Sequence, residues 1–267
     1  PVQEDEDTIR HVRYNYAALV SNCDRYLGKV LDAMDRHDMW KDTMLIVNTD
    51  HGFLLGEHGW WGKTAMPIYN EIAHTPLFIY DPRRKELAGV HRNAIVQTID
   101  LAPTLLDYFG VEIPEDMEGK PLKQVMDSDE PVRSYAVFGY HGSQVNVTDG
   151  RYVYMHSAER PELPVYEYTL MPTHMRQMFQ PDELQNIVMS EPFSFTKGCR
   201  VMRIEAKNVM GDTTKFGSAL YDLKIDPHQT APVSDKETEE RMKGYIAEYM
   251  EKNDAPEELY TRLGIVR

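Results

Sequence analysis

Cysteine is almost absent from this sequence, and long apolar runs are missing. Of 267 residues two are cysteines, Cys23 and Cys199, and they lie in unrelated sequence contexts. That number and spacing argue against both a disulfide framework and a cysteine metal cluster. The longest aliphatic stretches, 44–47 and 77–80, are far shorter than the roughly 20 apolar residues that a membrane helix needs. We therefore expect no membrane-spanning segment.

Positive charge is also scarce. The sequence has 29 Lys and Arg against 43 Asp and Glu, a formal net charge of −14, and its pI is about 5.1. A chain with this acidic excess repels phosphate backbones and anionic lipid, so we expect neither nucleic acid nor a membrane surface as a partner. Apolar residues make up 42% of the chain. This fraction suffices for a core and excludes disorder as the main state.

The first part of the chain has the pattern of an α/β domain. Apolar residues recur every three or four positions over 7–36, which predicts one long amphipathic helix. The run 43–49 is apolar on both faces and predicts a strand covered by helices on both sides, and 75–80 predicts a second strand. A helix over about 100–109 follows, with Thr98 or Asp100 as its N-cap and Gly110 just beyond its end.

The second part of the chain has a different pattern. Short, partly alternating runs predict a smaller antiparallel sheet, with a hairpin turn at Asp149-Gly150, and 235–252 predicts a charged final helix. Between these strands lies a stretch rich in Pro and Met, without sustained periodicity. We therefore divide the chain into an α/β part, 1–130, and a smaller α+β part, 131–267, with an irregular insertion at about 157–216.

The loop after the first predicted strand carries the residues of greatest chemical interest. Asp50 offers an anionic oxygen and His51 a ring nitrogen, two ligand types that divalent cations accept, while Gly52 permits a sharp turn. Lys63 is a compact cation that could hold an anionic group against such a metal. A strand end with an Asx-type turn and a solvated lysine would explain the same residues, so both interpretations stay open at this point.

The wider pattern resembles a known family. Asp50-His51-Gly52, Leu-Gly-Glu-His-Gly at 55–59, Lys63 and His-Thr-Pro-Leu-Phe at 74–78 together are similar to the C-terminal metal and sulfate-binding block of the sulfatases of the alkaline phosphatase superfamily. The resemblance covers about 1–156 and 217–252. It implies an α/β fold, part of an alkaline phosphatase-like sheet flanked by helices, together with a smaller C-terminal antiparallel sheet and a helix.

The resemblance also implies an activity and roles for three residues. Asp50 and His51 would be ligands of one divalent metal ion, commonly Ca²⁺, and Lys63 would be a catalytic residue that contacts the sulfate and its bridging oxygen. The implied function is metal-dependent hydrolysis of sulfate esters, with a sulfated small molecule or carbohydrate as substrate. Such a reaction needs cationic groups around the sulfuryl oxygens, because charge moves toward the leaving oxygen as the S–O bond breaks.

The sequence departs from the family at the nucleophile. Sulfatases of this family use a formylglycine made from Cys or Ser in a Cys/Ser-x-Pro-x-Arg motif, and neither Cys23 nor Cys199 lies in such a motif. We therefore expect this chain to be the C-terminal portion of a longer protein. Its partner would be the missing N-terminal half of the same protein, which would supply the formylglycine and the other metal ligands. We expect residues 1–267 alone to be inactive.

Other residues and other functions remain open at this stage. His58 is interpreted as an orienting or structural imidazole, and His74 as a capping or packing residue. A phosphonate monoester or phosphodiester hydrolase of the same superfamily is the alternative function, and a non-catalytic module whose catalytic half was lost is a third. Five further basic residues are expected to lie at the surface, although each could reach an anionic substrate: His141, His156, His174, Arg200 and Arg203.

Overall fold

The computed structural model describes residues 1–171, 173–207 and 211–267. Within these ranges no helix has both the length and the apolarity to cross a membrane. The helices are α1 (Glu6–Arg36), α2 (Asn70–Ala73), α3 (Leu101–Phe109), α4 (Lys123–Ser128), α5 (Lys236–Lys252) and α6 (Glu257–Leu263). The strands are β1 (Leu45–Asn48), β2 (Leu54–Leu55), β3 (Trp61–Gly62), β4 (Leu77–Tyr80), β5 (Ala136–Gly139), β6 (Val145–Thr148), β7 (Tyr152–His156), β8 (Tyr166–Thr169), β9 (Val188–Ser190), β10 (Val201–Glu205) and β11 (Ala219–Asp222).

The chain forms two compact units. The first unit contains Pro1–Lys63, Ile68–Ala94 and Lys123–Glu130. The second contains Thr64–Pro67, Ile95–Leu122 and Pro131–Arg267. These units are defined by their internal contacts, so the division into 1–130 and 131–267 stays a prediction about domains.

Helix α1 of the first unit confirms the predicted long helix to within one residue. It begins after Asp5, whose side chain accepts a hydrogen bond from the backbone N–H of Thr8. Acidic side chains fill its first turn, where the helix dipole favours negative charge. Of the predicted apolar face, Met34 is buried, whereas Leu19 and Val30 are exposed. Burial of the apolar face therefore contributes little to this helix within the described residues.

A two-stranded sheet lies next in the first unit, and its first strand leads into the loop that carries Asp50. Strands β1 and β4 pair antiparallel, with Leu45 opposite Tyr80 and Asn48 opposite Leu77. Both predicted strands are confirmed, with bounds two residues shorter at their N-terminal ends. The residues of β1 are only half-buried, and Phe78 on β4 is exposed. The prediction that helices cover both faces of β1 is therefore wrong for the described part of the chain, where this pair has an open apolar surface.

The second unit is built on a four-stranded antiparallel sheet in the order β11-β7-β6-β5. The predicted turn at Asp149-Gly150 joins β6 to β7, and Gly150 has a φ of +89°, which a residue with a side chain rarely adopts. Helices α5 and α6 pack on one face of this sheet. The core there consists of Val147, Tyr154, Leu220, Met242, Ile246, Met250, Tyr260, Leu263 and Ile265.

The start of α3 agrees with the prediction in position, because Asp100, one of the two predicted N-cap residues, is its N-cap. A 3-10 turn from Thr98 to Asp100 precedes the helix, and the Asp100 side chain makes no capping hydrogen bond to α3. The Asp100 carboxylate is fully buried and instead accepts a hydrogen bond from the backbone N–H of Gln97 and forms an ion pair with Arg133. A buried carboxylate needs such partners, and Arg133 is the stronger one because it carries charge. The predicted helix end is confirmed, since Gly110 has a φ of +67°.

The stretch 157–216 contains regular structure that the sequence does not reveal. Strands β8, β10 and β9 form a three-stranded antiparallel sheet in that order. Arg203 on β10 lies opposite both Tyr168 and Val188. The stretch is therefore not irregular throughout, although its lack of periodicity predicted that it would be. Strand β8 pairs with residues of β10 more than 30 positions later, and β9 pairs with residues of β10 between 11 and 15 positions later, so the pairing leaves no local periodicity.

Candidate functional site

A short hairpin of the first unit positions the residues predicted to form the site. Asp50 lies two residues after β1, and the hairpin then pairs Leu54 on β2 with Gly62 on β3. Lys63 follows β3 directly. The hairpin therefore reverses the direction of the chain and brings Lys63 back toward Asp50 and His51.

The structure brings the three predicted residues together. Oδ2 of Asp50 lies 3.2 Å from Nε2 of His51. The ammonium of Lys63 is within hydrogen-bonding distance of the same His51 nitrogen. A carboxylate, an imidazole and an ammonium thus converge around Nε2 of His51. Their roles in metal binding and catalysis stay predictions.

The other ring nitrogen of His51 determines which tautomer the site contains. Nδ1 lies 2.9 Å from the carbonyl oxygen of Gly52. A carbonyl oxygen only accepts, so Nδ1 carries the hydrogen and, in the neutral ring, Nε2 keeps its lone pair. Metal-binding histidines commonly donate their second N–H to a backbone carbonyl in this way. The hydrogen bonding of His51 therefore suits a ligand, with Nε2 as the donor atom.

Asp50 is ionised at neutral pH. Its side chain is 80% exposed. Partial desolvation acts to raise the pKa of this carboxyl, but the hydrogen bond from the backbone N–H of His51 and the positive charge of Lys63 help to outweigh that effect and hold it below the usual range. An exposed carboxylate beside an imidazole lone pair presents one hard oxygen donor and one nitrogen donor to a cation.

Gly52 fits the site for a reason other than the predicted sharp turn. A Cβ at this position would lie 1.7 Å from the carbonyl oxygen of Glu71. The backbone N–H of Gly52 also donates a hydrogen bond to the carbonyl of Ile72 at 2.8 Å. Two backbone segments therefore meet here at a distance that only glycine permits, and this contact holds His51 against the short helix α2.

His58 supports the hairpin from inside. Its ring stacks on Tyr69 with centroids 3.6 Å apart and planes 6° from parallel. Its Nε2 lies 3.4 Å from Oε2 of Glu71, and the side chain is nearly buried. These contacts agree with the prediction of a structural imidazole. The sequence did not indicate that Tyr69 and Glu71 contact His58, although both residues lie within the part of the chain that resembles the sulfatases.

The hairpin is also tied to the N-terminal segment and α1. Arg13 on α1 donates from Nε to the carbonyl of Leu55 at 2.8 Å. The indole N–H of Trp61 donates to Glu4 at 2.7 Å, and this hydrogen bond holds the pKa of Glu4 below its usual range. Trp61 therefore anchors the loop. His74 is the C-cap residue of α2, in agreement with a capping role.

Four of the other basic residues have local partners in the second unit. His141 contacts the carbonyl of Tyr166 at 3.0 Å, His174 contacts Glu183 at 2.8 Å, Arg200 contacts Glu191 at 2.9 Å, and the Arg203 guanidinium lies 4.5 Å from the Tyr166 ring centroid.

His156 is the exception among these basic residues. It is buried, so the prediction of a surface position is wrong, and its Nε2 contacts the carbonyl oxygen of Leu263 at 2.7 Å. Burial lowers the pKa of this imidazole.

Asp50 and His51 can supply part of a metal site. In residues 1–171, 173–207 and 211–267, no group of three or more His, Cys, Asp or Glu side chains is arranged to hold a metal ion. The two side chains nevertheless fit a divalent cation, because their donor atoms face one another and neither nitrogen nor carboxylate would need to lose a proton.

The architecture belongs to the alkaline phosphatase-like class. A solved protein in complex with its substrate D-glucosamine-2-N,6-O-disulfate matches 89% of this chain with a TM-score of 0.58 at 20% identity, over 40% of its own length. The predicted fold, an α/β part with a smaller C-terminal antiparallel sheet and a helix, is confirmed.

The sequence comparison identifies the family. The family N-sulphoglucosamine sulphohydrolase, C-terminal, matches residues 56–194, more than half of the chain, and the chain belongs to this family. N-acetylglucosamine-6-O-sulfatase of Bacteroides thetaiotaomicron is 37% identical over 115 residues. That match covers 43% of this chain and 20% of the relative. The resemblance to the C-terminal portion of sulfatases is thereby confirmed.

A second solved structure is similar over a smaller region. The phosphonate monoester hydrolase SpPMH from Silicibacter pomeroyi matches 58% of this chain with a TM-score of 0.50 and 26% identity. The match covers 34% of that protein. In each of these three comparisons the chain spans less than half the length of the protein that it matches.

Proposed function

We propose that this chain is the C-terminal portion of a metal-dependent sulfatase that hydrolyses sulfate esters. The observation that carries the proposal is the convergence of Asp50, His51 and Lys63 in one hairpin, within a chain of the N-sulphoglucosamine sulphohydrolase C-terminal family. Asp50 and His51 are the proposed metal ligands and Lys63 is the proposed catalytic cation. The N-terminal half of the same protein is proposed to supply the formylglycine nucleophile.

Ca²⁺ is the proposed metal. It takes 6–8 ligands, mostly oxygen, and Asp50 with His51 would supply two of them. When bound, such an ion polarises the sulfuryl oxygens and stabilises the charge that develops on them. The remaining ligands are proposed to come from the N-terminal half, since the described residues contribute no larger cluster.

The contact between Lys63 and His51 has a consequence for this proposal. His51 has a single lone pair on Nε2, and in this structure the Lys63 ammonium donates to it. That lone pair cannot serve an ammonium and a metal at once. With His51 on the metal, Lys63 would donate to an anionic substrate group instead. There it would stabilise negative charge on the leaving oxygen.

A sulfated carbohydrate is the proposed substrate class. The support is the 37% identity to an N-acetylglucosamine-6-O-sulfatase, in a match that overlaps less than half of this chain. A panel of sulfated amino sugars, other sulfated sugars and an aryl sulfate, assayed with the native protein that contains residues 1–267, would test this class.

The proposed role of Lys63 is tested by Lys63→Ala in that native protein. If Lys63 stabilises charge that develops in the transition state, kcat falls by about 10²–10³ on the best substrate, or roughly 2.7–4 kcal/mol, by analogy with removal of one oxyanion donor. Lys63→Arg should restore part of the rate, because a guanidinium places its donors differently. Exposed Lys85 is the matched control, and Lys85→Ala should leave kcat and KM unchanged.

Two outcomes would contradict these assignments. Wild-type kcat and KM in Lys63→Ala would show that the lysine has no part in the reaction, and a raised KM with unchanged kcat would make it a binding residue only. For the metal, Asp50→Ala should lower the Ca²⁺ content measured by mass spectrometry of the purified protein. Full occupancy in that variant would exclude Asp50 as a ligand.

Phosphonate monoester hydrolysis is the second candidate, and the similarity to the hydrolase SpPMH favours it. A carboxylate, an imidazole and an ammonium would suit a phosphonate ester as they suit a sulfate ester, because both carry anionic oxygens around the reacting centre. The ratio of kcat/KM for matched aryl sulfate and aryl phosphonate esters distinguishes the two. If kcat/KM is higher for the phosphonate ester, phosphonate monoester hydrolysis would replace sulfate ester hydrolysis as the proposed function.

A further inference from the structure

An irregular segment of the second unit carries an unusual concentration of exposed thioethers. The sequence over 171–178 reads Met-Pro-Thr-His-Met-Arg-Gln-Met, three sulfur donors and one imidazole within eight residues. Met175 is 88% exposed and Met178 is 69% exposed. Methionine ordinarily fills gaps in apolar cores. These two side chains do not, so packing does not explain their presence.

His174 in this segment is oriented by a carboxylate. Its Nε2 lies 2.8 Å from Oε1 of Glu183, and the two side chains are 27% and 11% exposed. A carboxylate only accepts, so Nε2 carries the hydrogen and the neutral ring keeps its lone pair on Nδ1. A histidine that binds a metal through one nitrogen typically donates its other N–H to such a carboxylate. Glu183 therefore prepares Nδ1 of His174 as a ligand.

A ring contact and a backbone hydrogen bond order the residues on either side of the two methionines. The rings of His174 and Phe179 are in contact, with centroids 4.4 Å apart. Glu183 also accepts the backbone N–H of Gln180 through its Oε2 at 2.6 Å. Met175 and Met178 lie on the four residues between the touching rings. Their unbranched side chains have three rotatable bonds each, and Met175 directly follows His174 in the chain.

We propose that Nδ1 of His174 and the thioether sulfurs of Met175 and Met178 bind a soft monovalent cation, Cu⁺, for which Ag⁺ is a chemical analogue. Thioethers select Cu⁺ over hard divalent ions, and imidazole is compatible with it. The site would not take Ca²⁺, which needs several oxygen ligands. It is independent of the proposed sulfatase activity, because none of its residues belongs to the hairpin with Asp50.

The binding experiment must remove the two thiols first. Cys23 and Cys199 are both exposed, and thiolates bind Cu⁺ strongly. In a Cys23→Ser/Cys199→Ser parent, anaerobic titration with Cu⁺ against a chromophoric Cu⁺ chelator should show one retained equivalent. In ¹³C-methyl methionine NMR, Ag⁺ should shift the signals of Met175 and Met178. A parent that retains no Cu⁺ would overturn the proposal.

Variants of the parent locate the site. Met175→Leu/Met178→Leu keeps the side-chain volume and should weaken Cu⁺ binding at least about tenfold, and Glu183→Gln should weaken it by about 10–100-fold by releasing His174. Met189→Leu is the matched control, since Met189 is also exposed but lies on β9. Parent-like affinity in the double methionine variant would overturn the proposal. An equal loss in Met189→Leu would also overturn it.

Discussion

Replacement of Gly52 by alanine tests whether the backbone contact behind the site holds its geometry. The added Cβ would lie 1.7 Å from the Glu71 carbonyl oxygen and 3.2 Å from the Cα of Ile72. Real Cβ atoms essentially never come within 3.0 Å of another heavy atom, so the two backbone segments must separate by about 1.3 Å. Both neighbours are backbone atoms, and no side-chain rotation can relieve the overlap.

Gly52→Ala should lower the unfolding free energy for two reasons. Overpacking of this kind costs about 1–3 kcal/mol. The separation also breaks the hydrogen bond from Gly52 to Ile72, now 2.8 Å long, and an unsatisfied backbone donor costs about 1–3 kcal/mol when water does not replace the partner. We expect Gly52→Ala to lose roughly 2–6 kcal/mol of unfolding free energy. A misplacement of about 1 Å at His51 should also lower the rate of the proposed ester hydrolysis by about 10²-fold.

Urea unfolding followed by circular dichroism measures the first effect, and kcat/KM on the best substrate measures the second. Gly28→Ala is the matched control, because Gly28 lies within α1 and nothing lies within 4 Å of its added Cβ. That control should gain about 0.5–1 kcal/mol from helix propensity. The reasoning is refuted if Gly52→Ala unfolds at the wild-type urea concentration and keeps wild-type activity.

Two further predictions concern the second unit. Arg133→Met leaves the buried Asp100 carboxylate without its charged partner and should lower the unfolding free energy measured in urea by about 3–5 kcal/mol. Arg10→Met breaks an exposed pair with Asp7 and should lower it by at most about 1 kcal/mol. Equal losses in the two variants would contradict a stabilising role of the buried pair. Burial lowers the pKa of His156, so the unfolded state binds the extra proton first and stability should fall as pH drops below about 6.5. His156→Gln should flatten the dependence of unfolding free energy on pH between about 5 and 7, and an unchanged slope would assign it to other groups.

Structural features that depend on residues close together in the sequence could be predicted from the sequence alone. The bounds of α1, the hairpin turn at Asp149-Gly150 and the helix end at Gly110 follow from local periodicity and from the conformational freedom of glycine. Asp50, His51 and Lys63 could be proposed together because they lie within 14 consecutive residues, 50–63. Local signals are therefore sufficient to name these residues as candidates, and their roles stay predictions.

Contacts between distant residues could not be predicted in this way. The role of Asp100 depends on Arg133, 33 positions later, so its side chain looked like a helix cap in the sequence. The sheet of β8, β10 and β9 depends on pairing across an irregular stretch, and α6 was not predicted at all. His156 illustrates the same limit, since its burial results from α6 packing on the sheet.

The position of His51 shows how the two kinds of contact combine. Nδ1 of His51 is fixed by the carbonyl of Gly52, and Gly52 is fixed by the backbone of residues 71 and 72. The same segment supplies Tyr69 and Glu71 to His58. Residues 71 and 72 therefore orient the His51 imidazole through the backbone of Gly52. A change there should alter the geometry of Nε2 although Asp50, His51 and Lys63 are unchanged in sequence, so the proposed activity should fall with the whole motif intact.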